Sequence, residues 1–396
     1  MIKVVTSCCG RFHIFDQAAQ LENLGYLYRL IHSDPKFLSK RWGLPNKKVI
    51  SFLIVGILAR LLRYFPQNMR KFCTPYVHIY FGKKLSKAIP KDSSVFIGLS
   101  SFSLEAIEKC KGLGILTIVD HGSLHPELER DLIADEEKIL GLQSGRFIAS
   151  DKLIIRQKIE FVNADYIFVL SEAAKKSLIS KGVPQEKVFV NSCGVDLRSF
   201  YKKEGSDSLF RIIFCGSITP RKGLHYLLQA FQELKLPAAE IWIVGTTTDF
   251  EYIRYLKKNY TSDLIKYKGS FSQSQLVHVY NECSVFVLPS ISDGFGMVVS
   301  QAQACGLPVI TTENVGAADI IKDGVNGFII PIRDIEALKN RIKVLYYDRS
   351  LLMKMSEAAL IYSKNNFGWE NYGKRLARFL DKHTAEEFDN TSKFIP

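Results

Sequence analysis

No uninterrupted apolar run in this chain reaches the ~20 residues needed to cross a bilayer, so a spanning helix is not expected. The N-terminal MIKVVTSCCG is too short an apolar stretch for a secretory signal and runs straight into patterned sequence, which predicts a cytoplasmic chain. The eight cysteines form no CxxC pair and no Cys/His spacing suited to zinc, so they are expected as free, mostly buried thiols. There is no Asp-x-Asp motif to hold a catalytic metal and no self-similarity of 20–50 residues to suggest a solenoid. Acidic residues are missing altogether from Lys36 to Lys91, a stretch that carries 13 basic ones. Residues 1–100 hold 16 Lys and Arg against 4 Asp and Glu, and this first quarter accounts for nearly all of the net charge of +13. A field so concentrated predicts an anionic partner.

What is present is a folded α/β pattern. Of the 396 residues 47% are hydrophobic and 23% charged, the balance of a globular protein long enough for two domains. Short apolar strands (Ile2–Val5, Val95–Leu99, Ile115–Asp120, Tyr166–Ser171) alternate with helical segments, and FDQAAQLENLGYLYRLI reads as helical throughout. A second series starts at Arg211–Gly216 and continues through IWIVG, IKYKG, Val285–Pro289 and Pro308–Thr312. The polar DLRSFYKKEGSDSLF between the two series suits a hinge. The predicted organisation is two Rossmann-like, doubly wound parallel-sheet domains, residues 1–200 and 201–365. A helix over 366–385 follows, with Trp369, Tyr372, Leu376 and Phe379 on one side.

Two strand–loop–helix segments of the second half carry the chemistry. In LPSISDGFGMVVSQAQACG, Gly294 and Gly296 let backbone approach a ligand, and the start of the following helix offers free amides to a phosphate. Asp293 and Gln301 flank that start. In CGSITPRKGLHYLL, Arg221 and Lys222 stand at a helix entrance, where cations oppose the dipole unless an anion such as a diphosphate sits there.

With GSITPRKG and PSISDGFG go two further segments, Ala164–Phe200 with its GVD turn at Gly194–Asp196, and FGWENYGKRL near the C-terminus. Together they resemble glycosyltransferase family 4, retaining enzymes of the two-domain GT-B fold, over nearly the whole chain. The resemblance implies that Arg221 and Lys222 grip the diphosphate of a nucleotide-sugar donor and that Asp293 meets hydroxyls of the transferred sugar. The amides around Phe295, Gly296 and Met297 would hold its phosphate side, and Gln301 the ribose. Gly216 and Ser217 fall in the diphosphate loop, Gly269, Ser270 and Phe271 where backbone wraps the nucleobase, and Gly10 in the first-domain loop over the phosphates. Two departures stand out: Asp293 and Gln301 replace the family's usual pair of glutamates, and Ser217 replaces a common arginine. Gln keeps a hydroxyl-binding carbonyl without charge assistance, a difference on the order of 1 kcal/mol. The implied reaction is metal-independent, with no cofactor beyond the donor substrate, because two cations stand where a metal would act.

In the first half, VDHGSLHPELE follows a strand end and so points into the cleft. His121 is the best catalytic candidate there, with Ser123 and His125 beside it, although a loop histidine with only a structural bond has the same appearance. Ser100 and Ser101 read equally as helix caps. VISFLIVGILARLLRYF, with Arg60 and Arg63 in it and Lys47 and Lys48 before it, suits a helix lying in a membrane interface or an apolar helix packed in the first domain. The expected partners are therefore a nucleotide sugar, a saccharide or lipid-linked acceptor and an anionic membrane surface, with no nucleic acid. The expected role is sugar transfer in surface polysaccharide or lipopolysaccharide assembly. A non-catalytic partner subunit of the same fold is the alternative, and a sugar-nucleotide epimerase a third.

Overall fold

The computed structural model describes residues 2–392 except 144, 146, 147 and 204–208, and of residues 63 and 385–392 it describes the backbone alone. Residues 204–208 of the expected hinge, and the side chain of Arg63, therefore lie outside the described residues.

The first sheet contains β1 (Val4–Cys8), β2 (Leu27–His32), β3 (Val49–Ser51), β4 (Val95–Leu99), β5 (Leu116–His121), β6 (Tyr166–Val169) and β7 (Val188–Val190). Their order is β3-β2-β1-β4-β5-β6-β7, and each pairing is parallel. The second sheet contains β8 (Phe210–Cys215), β9 (Ala239–Val244), β10 (Ile265–Gly269), β11 (Val285–Leu288), β12 (Val309–Thr312) and β13 (Gly327–Ile330). It runs β10-β9-β8-β11-β12-β13, again wholly parallel. Strands such as VVTSC, VFIGL and VFVL are buried along their whole length, as central strands covered on both faces must be. Two doubly wound, Rossmann-like parallel-sheet domains result. In each, the strand order reverses about the first strand, between β1 and β4 and between β8 and β11. Ligands of such sheets bind at the carboxyl ends beside that reversal.

Two segments depart from the sequence expectation. LYRLI, read as the continuation of a helix, is β2, because the helix Ile14–Asn23 ends before Gly25, whose φ of +75° favours glycine. Val49–Ser51, read as the start of an apolar helix, instead pairs beside β2, and the helix covers only Leu53–Leu61. The cysteines behave as small apolar side chains. All eight are free and seven are buried, with Cys73 half-buried.

The helix Trp369–Ser392 returns to the first domain. Tyr372, Leu376 and Leu380 join a core with Ile14, Phe15 and Ala18 of the helix Ile14–Asn23. Val195 N–H donates to Phe367 O at 2.7 Å, and the backbone of Trp369 lies so close to Gly194 that a Cβ there would meet it at 2.7 Å. The GVD turn is thus the point where the returning chain crosses the outgoing one.

Candidate active site

Loops at the carboxyl ends of both sheets meet across a cleft. The loop after β11 delivers Asp293 and the loop after β8 delivers Lys222, and the two form an ion pair with both side chains almost wholly shielded. Burial pulls the Lys222 ammonium below its usual range, against the attraction of Asp293. For Asp293 burial acts upward, but the charges of Lys222 and Arg221 outweigh it and hold the carboxyl below its usual range. The amide of Phe295 also donates to this carboxylate. Gly223, at φ +66°, lies against the Pro289 carbonyl, so no side chain fits between the two loops. Gly296, at φ +79°, caps the helix Met297–Ala304, which carries Gln301. The Oε1 of Gln301 is buried and has no hydrogen-bond partner among the described residues, and the same is true of Oγ1 of Thr219 in the β8 loop. An unpaired buried oxygen is costly, and a ligand donor relieves it.

Arg221 sits differently from Lys222. Its guanidinium donates to Ser292 O at 2.8 Å and reaches Glu129 Oε1 of the first domain at 3.4 Å. The same Glu129 oxygen accepts from Ser123 Oγ at 2.7 Å and Ser292 Oγ at 2.9 Å. Further ties cross the cleft. Ser171 Oγ donates to Gly294 O at 3.0 Å. Gly294 lies on the Gly122 carbonyl and Ser123 Cα so closely that a Cβ would meet the latter at 2.7 Å. Phe295, taken from the sequence as a source of backbone amides, also puts its ring into a small apolar cluster with Leu170 and Cys193. Beside the cleft, Glu136 is fully buried and accepts from His225 Nε2 and Arg333 Nε, each at 2.8 Å. Tyr252 receives the His225 amide and bonds its Nδ1, and burial disfavours the charged form of this ring against the attraction of Glu136.

Other candidates fall around this centre. Gly216 follows β8 at φ +152°, and its carbonyl lies against Gly245; Ser217 comes next. Gly269 ends β10 at φ +72°, with exposed Ser270 and half-buried Phe271 next in the chain. Gly10, at φ +101°, already donates its amide to Ser33 Oγ at 2.9 Å. Met297 begins its helix and packs on the Phe295 cluster.

His121 ends β5, buried, with Nε2 against Leu124 O at 2.9 Å. That bond makes Nε2 the donor and Nδ1 the acceptor of a ring that burial keeps neutral. His125 is not a site residue of this kind, since its Nδ1 caps the helix Pro126–Ile139 through the Glu127 amide. His121, Ser123 and Glu129 line a cavity of about 260 Å³ together with His78 and Ser101. Ser101 has φ +78°, a strained value for serine, and is held there by three groups. Buried Glu160 accepts its amide and those of Ser103 and Leu104, Arg156 binds its carbonyl, and His78 Nδ1 bonds its hydroxyl. Helix capping does not explain such strain. His78 and Glu136 lie in no motif read from the sequence, and Glu129 and Ser292 lie inside quoted motifs without having been singled out, because the partners that give each its place are 23 to 197 residues away.

The basic segment is partly committed elsewhere. Arg60 pairs with buried Asp34, and Lys48 with Glu22 at 2.7 Å. Lys47 is exposed, as are Leu53, Ile54, Ile57, Leu58 and Leu61 of the neighbouring helix. No helix among the described residues is long and apolar enough to cross a membrane.

Residues 199–361 match the family model described as glycosyl transferases group 1. The capsular polysaccharide biosynthesis glycosyltransferase CapM of Staphylococcus aureus is 29% identical over 254 residues, covering 58% of this chain and 65% of that protein. The putative colanic acid biosynthesis glycosyltransferase WcaL of Salmonella typhimurium is 28% identical over 232 residues, 56% of this chain and 57% of that protein. The chain therefore spans less than two thirds of the length of these curated relatives. Among solved structures, sucrose-phosphate synthase from Thermosynechococcus elongatus superposes with a TM-score of 0.76 at 17% identity, covering 98% of this chain and 100% of that one. Anabaena HepE in complex with UDP-glucose gives 0.69 at 16% identity, covering 96% and 100%. The chain thus has the two-domain GT-B fold, and its second domain is similar in sequence to the glycosyl transferases group 1.

Proposed function

We propose that the chain is a retaining, metal-independent glycosyltransferase of family 4 that moves a sugar from a nucleotide-diphosphate donor to a saccharide or lipid-linked acceptor in surface polysaccharide assembly. The observation that carries this reading is the shielded Lys222–Asp293 pair at the β8/β11 reversal, with Arg221 beside it and, in the helix Met297–Ala304, a buried Gln301 oxygen without a partner among the described residues. These groups suit a diphosphate and a ribose. The relatives named for capsular and colanic acid synthesis, and the neighbour that holds UDP-glucose, support the same substrate class.

In this reading the bond between the sugar's anomeric carbon and the phosphate oxygen breaks while the acceptor oxygen attacks the same face. The acceptor's proton passes to the leaving phosphate oxygen. Negative charge grows on the diphosphate, and Lys222, Arg221 and the amides at the start of the helix Met297–Ala304 face it, an electrostatic stabilisation that needs no protein base. Two cations at this position support a reaction without a metal. His121, neutral with Nδ1 as acceptor, is suited to bind a hydroxyl beside the cavity that would receive the acceptor. The exposed apolar face of Leu53–Leu61, set in a segment of 13 cations, supports peripheral attachment to the inner face of the cytoplasmic membrane.

A melting panel of nucleoside diphosphates and nucleotide sugars, run on wild type and Lys222→Ala, tests the donor site. At ~100 times its dissociation constant a true ligand adds about 2.7 kcal/mol, a shift of several degrees. One nucleotide family should stabilise the wild type and not the variant. If none does, the transferase reading fails.

A further inference from the structure

Arg221 and Lys222 both face the place where the donor diphosphate is to bind, yet each already has a carboxylate. Asp293 comes from the same domain as Lys222. Glu129 comes from across the cleft, in the first turn of the helix Pro126–Ile139. Its Oε1 is shared among Ser123 Oγ of its own domain and Ser292 Oγ and Arg221 of the other, at 2.7, 2.9 and 3.4 Å. Arg221 is in turn steadied by Ser292 O at 2.8 Å. One carboxylate oxygen thus gathers three donors, two of which belong to the opposite domain.

We propose that Glu129 is a positioning residue that competes with the donor diphosphate for Arg221, so that loading the donor exchanges a carboxylate for a phosphate on one guanidinium; this rests on the transferase reading above. A carboxylate and a diphosphate cannot both lie against one guanidinium without like-charge repulsion, and the cleft walls reduce the screening that water would give. A diphosphate has enough charge to displace Glu129 from Arg221. A monophosphate, carrying less charge and lacking the second phosphate, leaves the carboxylate where it is. Displacement also releases Ser292 from the first domain, so donor loading loosens one tie across the cleft while the Glu136–Arg333 and Glu136–His225 ties remain.

The test is the affinity of UDP, ADP and GDP, each beside its monophosphate, for the wild type, Glu129→Gln, Ser292→Ala and Lys222→Ala by titration calorimetry. Glu129→Gln keeps the shape and the hydrogen-bond capacity but removes the charge. It should bind the diphosphate that the wild type binds at least about fivefold more tightly, with a smaller gain for the monophosphate. Ser292→Ala, which frees the carboxylate without removing it, should move affinity in the same direction by less. A merely structural Glu129 predicts unchanged or weaker binding in both variants, and that result overturns the inference. If the wild type binds a diphosphate and Lys222→Ala does not, the transferase reading stands whatever Glu129 does. If the wild type binds none of them, both readings fall together.

Discussion

Replacing Lys222 by Met takes the ammonium away from Asp293 while filling the same space. The two side chains are only 9% and 14% exposed, so the remaining carboxylate is left in a poorly solvated place. Removing one member of a buried pair costs about 3–5 kcal/mol. Arg221 still contributes some opposite charge to Asp293, so the lower end, about 3 kcal/mol, is expected. For a domain of this size that corresponds to a fall in melting temperature of roughly 6–12 °C. Asp293→Asn added to Lys222→Met should recover much of the loss, because no charge is then left unpaired, and the coupling between the two changes should be about 1–3 kcal/mol. The pH dependence has a definite sign. A carboxyl held below its ordinary value contributes stability that is fully present above the unfolded value of ~3.9 and lost as pH falls through the folded one. The difference between wild type and Asp293→Asn should therefore be level from about pH 5 to 8 and shrink only below about pH 4. Scanning calorimetry of the four proteins across that range checks both parts. If Lys222→Met melts within about 2 °C of wild type, or the two changes simply add, the pair does not hold the donor loops together.

The remaining predictions concern the first domain. Ile54→Asp with Leu58→Asp, on the exposed face of the helix Leu53–Leu61, should reduce flotation with anionic liposomes by about tenfold or more without lowering the melting temperature, since each side chain gives up roughly 1–2 kcal/mol of apolar transfer. Undiminished flotation would end the membrane proposal. Arg60→Glu is a poor probe of the same question, because it sets a second carboxylate against buried Asp34. His78 is held down to about 3 by burial, with Arg156 adding to the effect. Its folded form binds fewer protons than the unfolded chain below pH ~6.5, so stability falls by up to about 1.4 kcal/mol per unit as pH drops towards 3. His78→Gln should flatten that part of the profile in urea titrations, and an unchanged slope would show that the ring is already charged in the folded protein.

The sequence by itself determined the two-sheet plan, because fully buried parallel strands read as short apolar runs separated by amphipathic helices, and both series are present in order. It also marked the loops after β8 and β11 as candidate ligand loops. Glycines at Gly294 and Gly296 and cations at Arg221 and Lys222 are local signals that need no tertiary knowledge, whereas the close approach of Gly223 to the Pro289 carbonyl appears only in the fold. The boundary between LYRLI as helix and as strand was not legible, since a short apolar run has no period of its own and only pairing beside β1 decides it. Nor was the fate of the charges. Arg60 and Lys48 read as free cations until Asp34 and Glu22 are placed against them, and Arg221 read as a pure phosphate ligand until Glu129 came across the cleft. His121 and His125 sit four residues apart, at the end of β5 and at the start of the next helix, and only the positions of the Leu124 carbonyl and the Glu127 amide set one on the cavity and make the other a helix cap. The strain at Ser101 was equally invisible, because it is imposed by Glu160, Arg156 and His78 from two other helices. Local patterns of burial and backbone freedom are written along the chain. The balance of each charge is decided by whichever groups the packed domains bring within a few ångströms.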